Sequence, residues 1–423
     1  MLEAKTKVKR YDTYKYSGVE WLGEIPSHWE VKRFKHIFKE KKITHDVKLN
    51  CGSISFGKVV FKDDEKVPVS TKKSYQVLNK GEFLINPLNL NYDLKSLRIG
   101  LSDKDVVVSS GYIIVQNVAE LSKVYYKWLL HIFDIAFMKT LGSGVRQTLS
   151  FAHVANSELV FPPLTEQTKI AQFLDDKTTK IQDAITIKDQ QIKLLKERKQ
   201  ILIHKAVTQG LNPNVTLEDS GVEWIGEIPE HWKILPGFMV YRENKTKNTG
   251  MIQDVILSLS YGNIVIKPKE KLVGLVPESF ETYQIVKPGD IIIRCMDLQN
   301  DKTSLRTGIA VNDGIITSAY LNLNIINNNV SEYVYNFLHS LDTTKVLYKF
   351  GTGLRQNLNF SDFKHLQIPK PPKEEQRNIV DYIENITKKI ETAISLKQQE
   401  IEKLKEYKSS LINGVVTGKV KVC

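Results

Sequence analysis

Cysteine is scarce: Cys51, Cys295 and Cys423 stand far apart and form no C-x-x-C pair. So odd and scattered a set argues against a disulfide framework or a thiolate metal cluster, and favours a reducing compartment. Long apolar runs are missing too. No stretch of about 18 apolar residues occurs, which excludes a spanning helix. The basic start MLEAKTKVKR leads into no apolar segment, so no secretory signal is expected. Catalytic signatures are equally lacking: there is no P-loop, no H-E-x-x-H and no cysteine–histidine ligand cluster. The composition describes a soluble, cytoplasmic chain with neither a metal nor a cofactor of its own.

Positive charge, by contrast, is in excess. Lys and Arg exceed Asp and Glu by a net +12 over 423 residues, a balance that suits a polyanionic partner such as nucleic acid. The chain is long enough for two domains with separate cores, and an internal repeat shows where they lie. Residues 17–29, SGVEWLGEIPSHW, return at 220–232 as SGVEWIGEIPEHW, with eleven of thirteen positions identical. Residues 142–208 and 351–417 match at a constant offset of 209, from G-x-G-x-R-Q through Pro-Pro to a V-T ending. Between these ends the copies diverge, with isolated matches such as Tyr75 to Tyr283, Arg98 to Arg306 and Tyr112 to Tyr320. A tandem duplication with like ends and unlike middles is two scaffolds carrying different inserts.

Each copy closes on a long helix. Pro162-Pro163 and Pro371-Pro372 stand where proline opens a helix, and no Pro or Gly follows as far as residue 208 in the first copy. Thr165 is an N-cap candidate and Glu166 a first-turn carboxylate, as Glu374 and Glu375 are in the second copy. Leu174, Ile181, Ile185, Ile192, Leu195, Leu202 and Ala206 recur at heptad spacing, as do their partners Ile383, Ile390, Ile394, Ile401, Leu404, Leu411 and Val415. Lys188 and Lys199 interrupt the seam, and Lys397 and Lys408 interrupt its twin at the same places. About 44 residues at 1.5 Å each make a rod of roughly 65 Å. Two like stripes in one chain suit an antiparallel pair, because a parallel one would crowd both bodies at the same end; binding of other chains is the alternative. Gln209-Gly210-Leu211-Asn212-Pro213 supplies the stop.

The bodies read as mixed α/β modules, with β-branched runs such as Val106-Val107-Val108 and Ile291-Ile292-Ile293 and helical patches near 122–139 and 331–349. Two kinds of segment carry candidate contacts. The turns holding Arg146 and Gln147, and Arg355 and Gln356, join a flexible backbone to side chains that read guanine, adenine or phosphate. They are equally open to a structural reading, as supports for the base of the long helix. The loops with Asn89, Asn91, Lys95 and Arg98, and with Arg294, Gln299, Asn300, Lys302 and Arg306, are rich in base-reading side chains or are solvated surface. His28 and His231 sit in the repeated I-P-x-H-W turn, where packing beside Trp is the plainer role.

Taken together, SGVEWLGEIPSHW, PPLTEQ and GLNPNVTLEDSGVEWIGEIPEHW resemble the specificity subunit of type I restriction–modification enzymes, over essentially the whole chain. The resemblance implies an α+β chain with a pseudo-twofold repeat: recognition domains at 1–164 and 210–372, and spacer helices at 165–209 and at 373–423 with its tail. It implies that each domain reads one half of a bipartite double-stranded DNA site while the paired helices act as a ruler. It also implies two modification subunits, which bind S-adenosylmethionine and methylate adenine, and restriction subunits that use ATP and Mg. The chain itself would then be non-catalytic. Lys373 and Glu374 depart from the Leu and Thr of the first helix start, a difference expected to affect local packing only.

Overall fold

The computed structural model describes residues 9–87, 97–141, 149–268, 279–296, 298, 304–349 and 357–422. Its contacts divide the chain into two units, 1–188 with 399–423, and 189–398. Each unit therefore holds one body, the start of one long helix and the end of the other. The first spacer helix spans Leu164–Gln209 and the second Lys373–Val416. Thr165 lies inside the first turn rather than capping it, because the helix already begins at Leu164, directly after Pro163.

Both bodies are built on the same four-stranded antiparallel sheet. In the first unit the strand order is Phe38–Glu40, Ile113–Asn117, Phe83–Ile85, Ile99–Leu101. In the second it is Tyr241–Glu243, Tyr320–Ile325, Ile291–Arg294, Thr307–Ile309. Strand order, which short apolar runs leave undefined, is thus shared by two bodies of unlike sequence. One amphipathic helix belongs to each body, Lys123–Ala136 and Ser331–Thr343. Their buried aromatics Tyr125, Tyr126 and Phe133, and Tyr333 and Phe337, enter the two main cores.

The repeated openings are explained by a single cluster in each unit. Trp29 is fully buried, and its indole N–H donates to Glu166 Oε2 at 3.2 Å. Tyr11 donates to the same oxygen at 2.9 Å, and His28 Nε2 lies 2.7 Å from Glu166 Oε1. Burial works against the Glu166 charge, but the hydrogen bonds from His28, Tyr11 and Trp29 outweigh it and hold the carboxyl below its ordinary range. Gln167 ties the helix start to the body, donating to Pro162 O at 2.8 Å and accepting from Ser122 N at 2.9 Å. On the other side of Trp29 stands the glycine that ends the second long helix. A Cβ on Gly418, where φ is +77°, would lie 2.4 Å from Pro26 and 2.9 Å from Trp29.

The second unit repeats this with the helices exchanged. Trp232 and His231 meet Glu375 Oε2 at 3.1 and 2.9 Å, and Gln376 bonds Pro371 O and Val330 N at 3.0 and 2.8 Å. Gly210, the stop of the first long helix, approaches Trp232. The start of one helix and the end of the other therefore flank each tryptophan, which makes the pair antiparallel. Within the first unit Lys188 reaches Glu400 at 2.5 Å and Lys408 reaches Gln182 at 3.2 Å; within the second Lys199 reaches Glu391 at 3.1 Å. Lys188, Lys199 and Lys408, which break the heptad stripe, make cross-helix polar contacts of the seam, where Ile181, Ile185, Ile192 and Ile401 are buried. No described helix is long and apolar enough to cross a membrane.

Candidate nucleic-acid interface

The residues that flank the candidate contact segments are paired in both units. In the first unit, Leu149 N, just after the G-x-G-x-R-Q turn, donates to Pro87 O at 3.0 Å, just before the polar loop. In the second, Leu358 N donates to Cys295 O at 2.8 Å. Asn89, Asn91, Lys95, Arg146, Gln147, Gln299, Asn300, Lys302, Arg355 and Gln356 lie outside the described residues. The described residues that flank the two kinds of segment are hydrogen-bonded to each other in each unit.

The ends of the polar loops are held by a carboxylate from the body helix. Asp134 Oδ2 accepts the amide of Arg98 at 2.5 Å, and Asp342 Oδ2 accepts that of Arg306 at 2.5 Å. Asp342 also accepts from Thr307 N at 3.1 Å and from its hydroxyl at 3.3 Å. Both aspartates are fully buried. The loop mouth is closed by Asn86 N to Arg98 O and by Arg294 N to Arg306 O, each 2.8 Å. Two bodies of divergent sequence thus share one clamp, Asp134 to Arg98 and Asp342 to Arg306.

Three candidate residues lie within the described structure, and the exposed position expected of a DNA reader is not found at two of them. Arg98 is 5% exposed and Arg306 not exposed at all. The Arg306 guanidinium donates to Met296 O at 2.7 Å and Tyr348 Oη at 3.1 Å, and it stacks 5.2 Å above the Tyr348 ring. With its donors engaged by Met296 O and Tyr348 Oη, the Arg306 guanidinium is turned inward. Arg294 is half-buried at the strand end, and its carbonyl also accepts from Arg306, at 3.4 Å. Sequence reasoning missed the aspartates. A single acid on an otherwise apolar helix face, at matching positions in both copies, was the signal that could have found them.

No described cluster of His, Cys, Asp and Glu could hold a metal ion. The twinned scaffolds define a chain of two like units, and sequence comparison places it. Residues 26–196 and 237–405 each match the type I restriction modification DNA specificity domain, and the chain belongs to that family. It is a type I restriction–modification specificity subunit with two DNA specificity domains, a recognition subunit rather than a catalytic one. The putative type I restriction enzyme MjaX specificity subunit of Methanocaldococcus jannaschii is 23% identical, over 95% of this chain and 96% of its own. The MjaVIII specificity subunit of the same organism is 25% identical over 63% of each chain. Among solved structures, the HsdS subunit from Thermoanaerobacter tengcongensis shares the fold, with a TM-score of 0.52 and 16% identity over 94% of this chain and 98% of that one. A chain from a study of complex assembly and conformational transition of the type I R-M system has a TM-score of 0.64 and 13% identity, over 93% and 98%.

Proposed function

We propose that each unit reads one half of a bipartite double-stranded DNA site and that the two spacer helices set the gap between the halves. The observation that carries this reading is the identical loop clamp on two scaffolds whose loops differ. One frame has been kept and its contents have been varied, as two readers of different sequences require. Base contacts then come from the segments 88–96, 142–148, 297–303 and 350–356, with Arg98 and Arg306 as supports. Transplanting the first body of a relative is expected to change one half-site and leave the other unchanged. Methylation mapping checks this, and a change in both halves or in neither refutes the modular reading.

The same frame offers equivalent docking surfaces to two modification subunits. These would bring S-adenosylmethionine and methylate adenine, and restriction subunits would bring ATP and Mg. The first spacer helix carries a second stripe, Ile187, Leu194 and Ile201, spaced by seven and largely exposed. Such a stripe supports packing of a partner helix. Duplicating four residues around Thr208 adds about 6 Å of helix with little net rotation, equal to roughly one or two base pairs. The unread gap is expected to lengthen with both half-sites unchanged. An unchanged gap would assign the helices to docking alone.

A further inference from the structure

Each unit has a groove between its body and its pair of helix segments, and the two grooves are twins. In both, the rim is a two-residue hairpin turn carrying an exposed aromatic. Phe56-Gly57 joins strands Gly52–Ser55 and Lys58–Phe61, and Tyr261-Gly262 joins Leu257–Ser260 and Asn263–Ile266. Phe56 and Tyr261 take φ of +46° and +49° and are 74% and 89% exposed. A left-handed backbone at a bulky aromatic is uncommon, and here it turns the ring outward in both copies. His131 and His339 line the two grooves, whose volumes are 740 and 640 Å³.

The charges of the twins differ. The first groove is lined by Lys58, Lys127, Lys405 and Lys408, with Asp175 as the one acid among its lining residues. Asp175 already accepts the Trp128 indole N–H at 2.9 Å. In the second groove the positions of Lys58 and Lys127 are held by Asn263 and Tyr335. Its remaining lysines, Lys196 and Lys199, face Glu332, Glu384 and Glu391. The decisive exchange is at the seam: Lys199 meets the carboxylate of Glu391 at 3.1 Å, whereas its twin Lys408 meets only the amide of Gln182. Positive charge is neutralised in the second groove; in the first, Lys405 is paired with Glu402 at 2.8 Å, while Lys58, Lys127 and Lys408 meet no carboxylate among the described residues. Burial, and then the neighbouring Lys58 and Lys127, depress the Lys408 ammonium. His131 beneath them is driven down to about 4 by burial and by Lys408 and Lys127. An anion would relieve this crowding.

We propose that the groove of the first unit is a clamp for the sugar-phosphate backbone of duplex DNA, and that its twin in the second unit is not. The proposal rests on the bipartite-site reading above and deepens it. Phosphate of DNA is favoured over an acidic protein segment because the groove adjoins the candidate reading loop: Gly57 N donates to Leu97 O at 3.1 Å, one residue beyond that loop. The grip is independent of sequence, so it adds affinity and salt sensitivity without altering the half-site.

The test uses the full-length chain assembled with co-expressed modification subunits. Lys58, Lys127 and Lys405 are exposed, so the triple variant Lys58→Ala, Lys127→Ala, Lys405→Ala leaves the core intact. Its slope of log affinity against log salt is expected to be shallower by about 2–3, at roughly 0.9 for each phosphate no longer neutralised, with the methylated sequence unchanged. Lys196→Ala in the second groove should leave the slope unmoved, whereas Lys58→Ala alone should make it shallower by about 0.9. A selective complex with an unmoved slope, or an equal change from Lys196→Ala, overturns the clamp. So does loss of a modification subunit from the triple variant at constant DNA slope, which would make the groove a protein dock. A wild-type complex that selects no sequence overturns the bipartite reading itself, and with it the clamp.

Discussion

The first unit is expected to lose about 3–5 kcal/mol of stability when Trp29 is replaced by alanine, the usual cost of deleting a large buried aromatic. Trp29 fills the space between the start of one long helix and the end of the other, against Glu166 and Gly418. Its loss leaves a cavity and also removes one of the donors that keep Glu166 ionised. Trp29→Phe is expected to recover most of the packing but not the hydrogen bond. Urea unfolding followed by signals from each unit checks this, because the Trp232 cluster serves as an internal reference. A pH dependence accompanies it. The folded-state pKa of Glu166 lies below its ordinary value of 4.5, so its contribution is complete above that value and is lost as pH falls through the lower, folded one. Glu166→Gln should flatten the acid limb of the first unit's stability curve. An unchanged limb would mean that other carboxylates govern it.

Asp342→Ala is expected to abolish discrimination at the second half-site while the first is still read. The substitution leaves the amides of Arg306 and Thr307 without their buried acceptor, at about 1–3 kcal/mol for each unsatisfied group. The chain end released in this way carries Arg306, whose guanidinium holds Met296 O, two residues beyond the strand Ile291–Arg294. Asp342→Asn keeps one acceptor oxygen at the same place and should restore most of the selectivity, which separates positioning from charge. Methylation mapping of both half-sites, read beside the unfolding midpoint, decides the matter. Equal loss at both halves would indicate global unfolding rather than release of one loop. Asp134→Ala should give the mirror result at the first half-site.

Much of the architecture could be read in the sequence, and the reason is periodicity. A heptad stripe bounded by Pro-Pro and Gly specifies a helix whatever surrounds it, so the spacer helices appear within a residue or two of the expected limits. Duplication supplied the pairing: a narrow stripe needs a partner, and the chain holds its own copy. Lysines that look like flaws in the stripe become cross-helix contacts to Glu400, Gln182 and Glu391. The sequence also showed which segments vary between otherwise equivalent frames.

Only the tertiary structure decided what individual polar residues do, because that depends on partners far away in the chain. Glu166 reads as a first-turn carboxylate, but it is the shared acceptor for Tyr11, His28 and Trp29, more than 130 residues earlier. Arg306 and Arg98 look like readers by residue type, yet burial turns them inward, and nothing local to a polar loop predicts that. Asp134 and Asp342 sit on helix faces whose period marks them as core, where an acid is stable only if backbone donors from another element converge on it. Periodicity is a local property and survives in the sequence; the satisfaction of a buried polar group is a long-range one and exists only once the chain has folded.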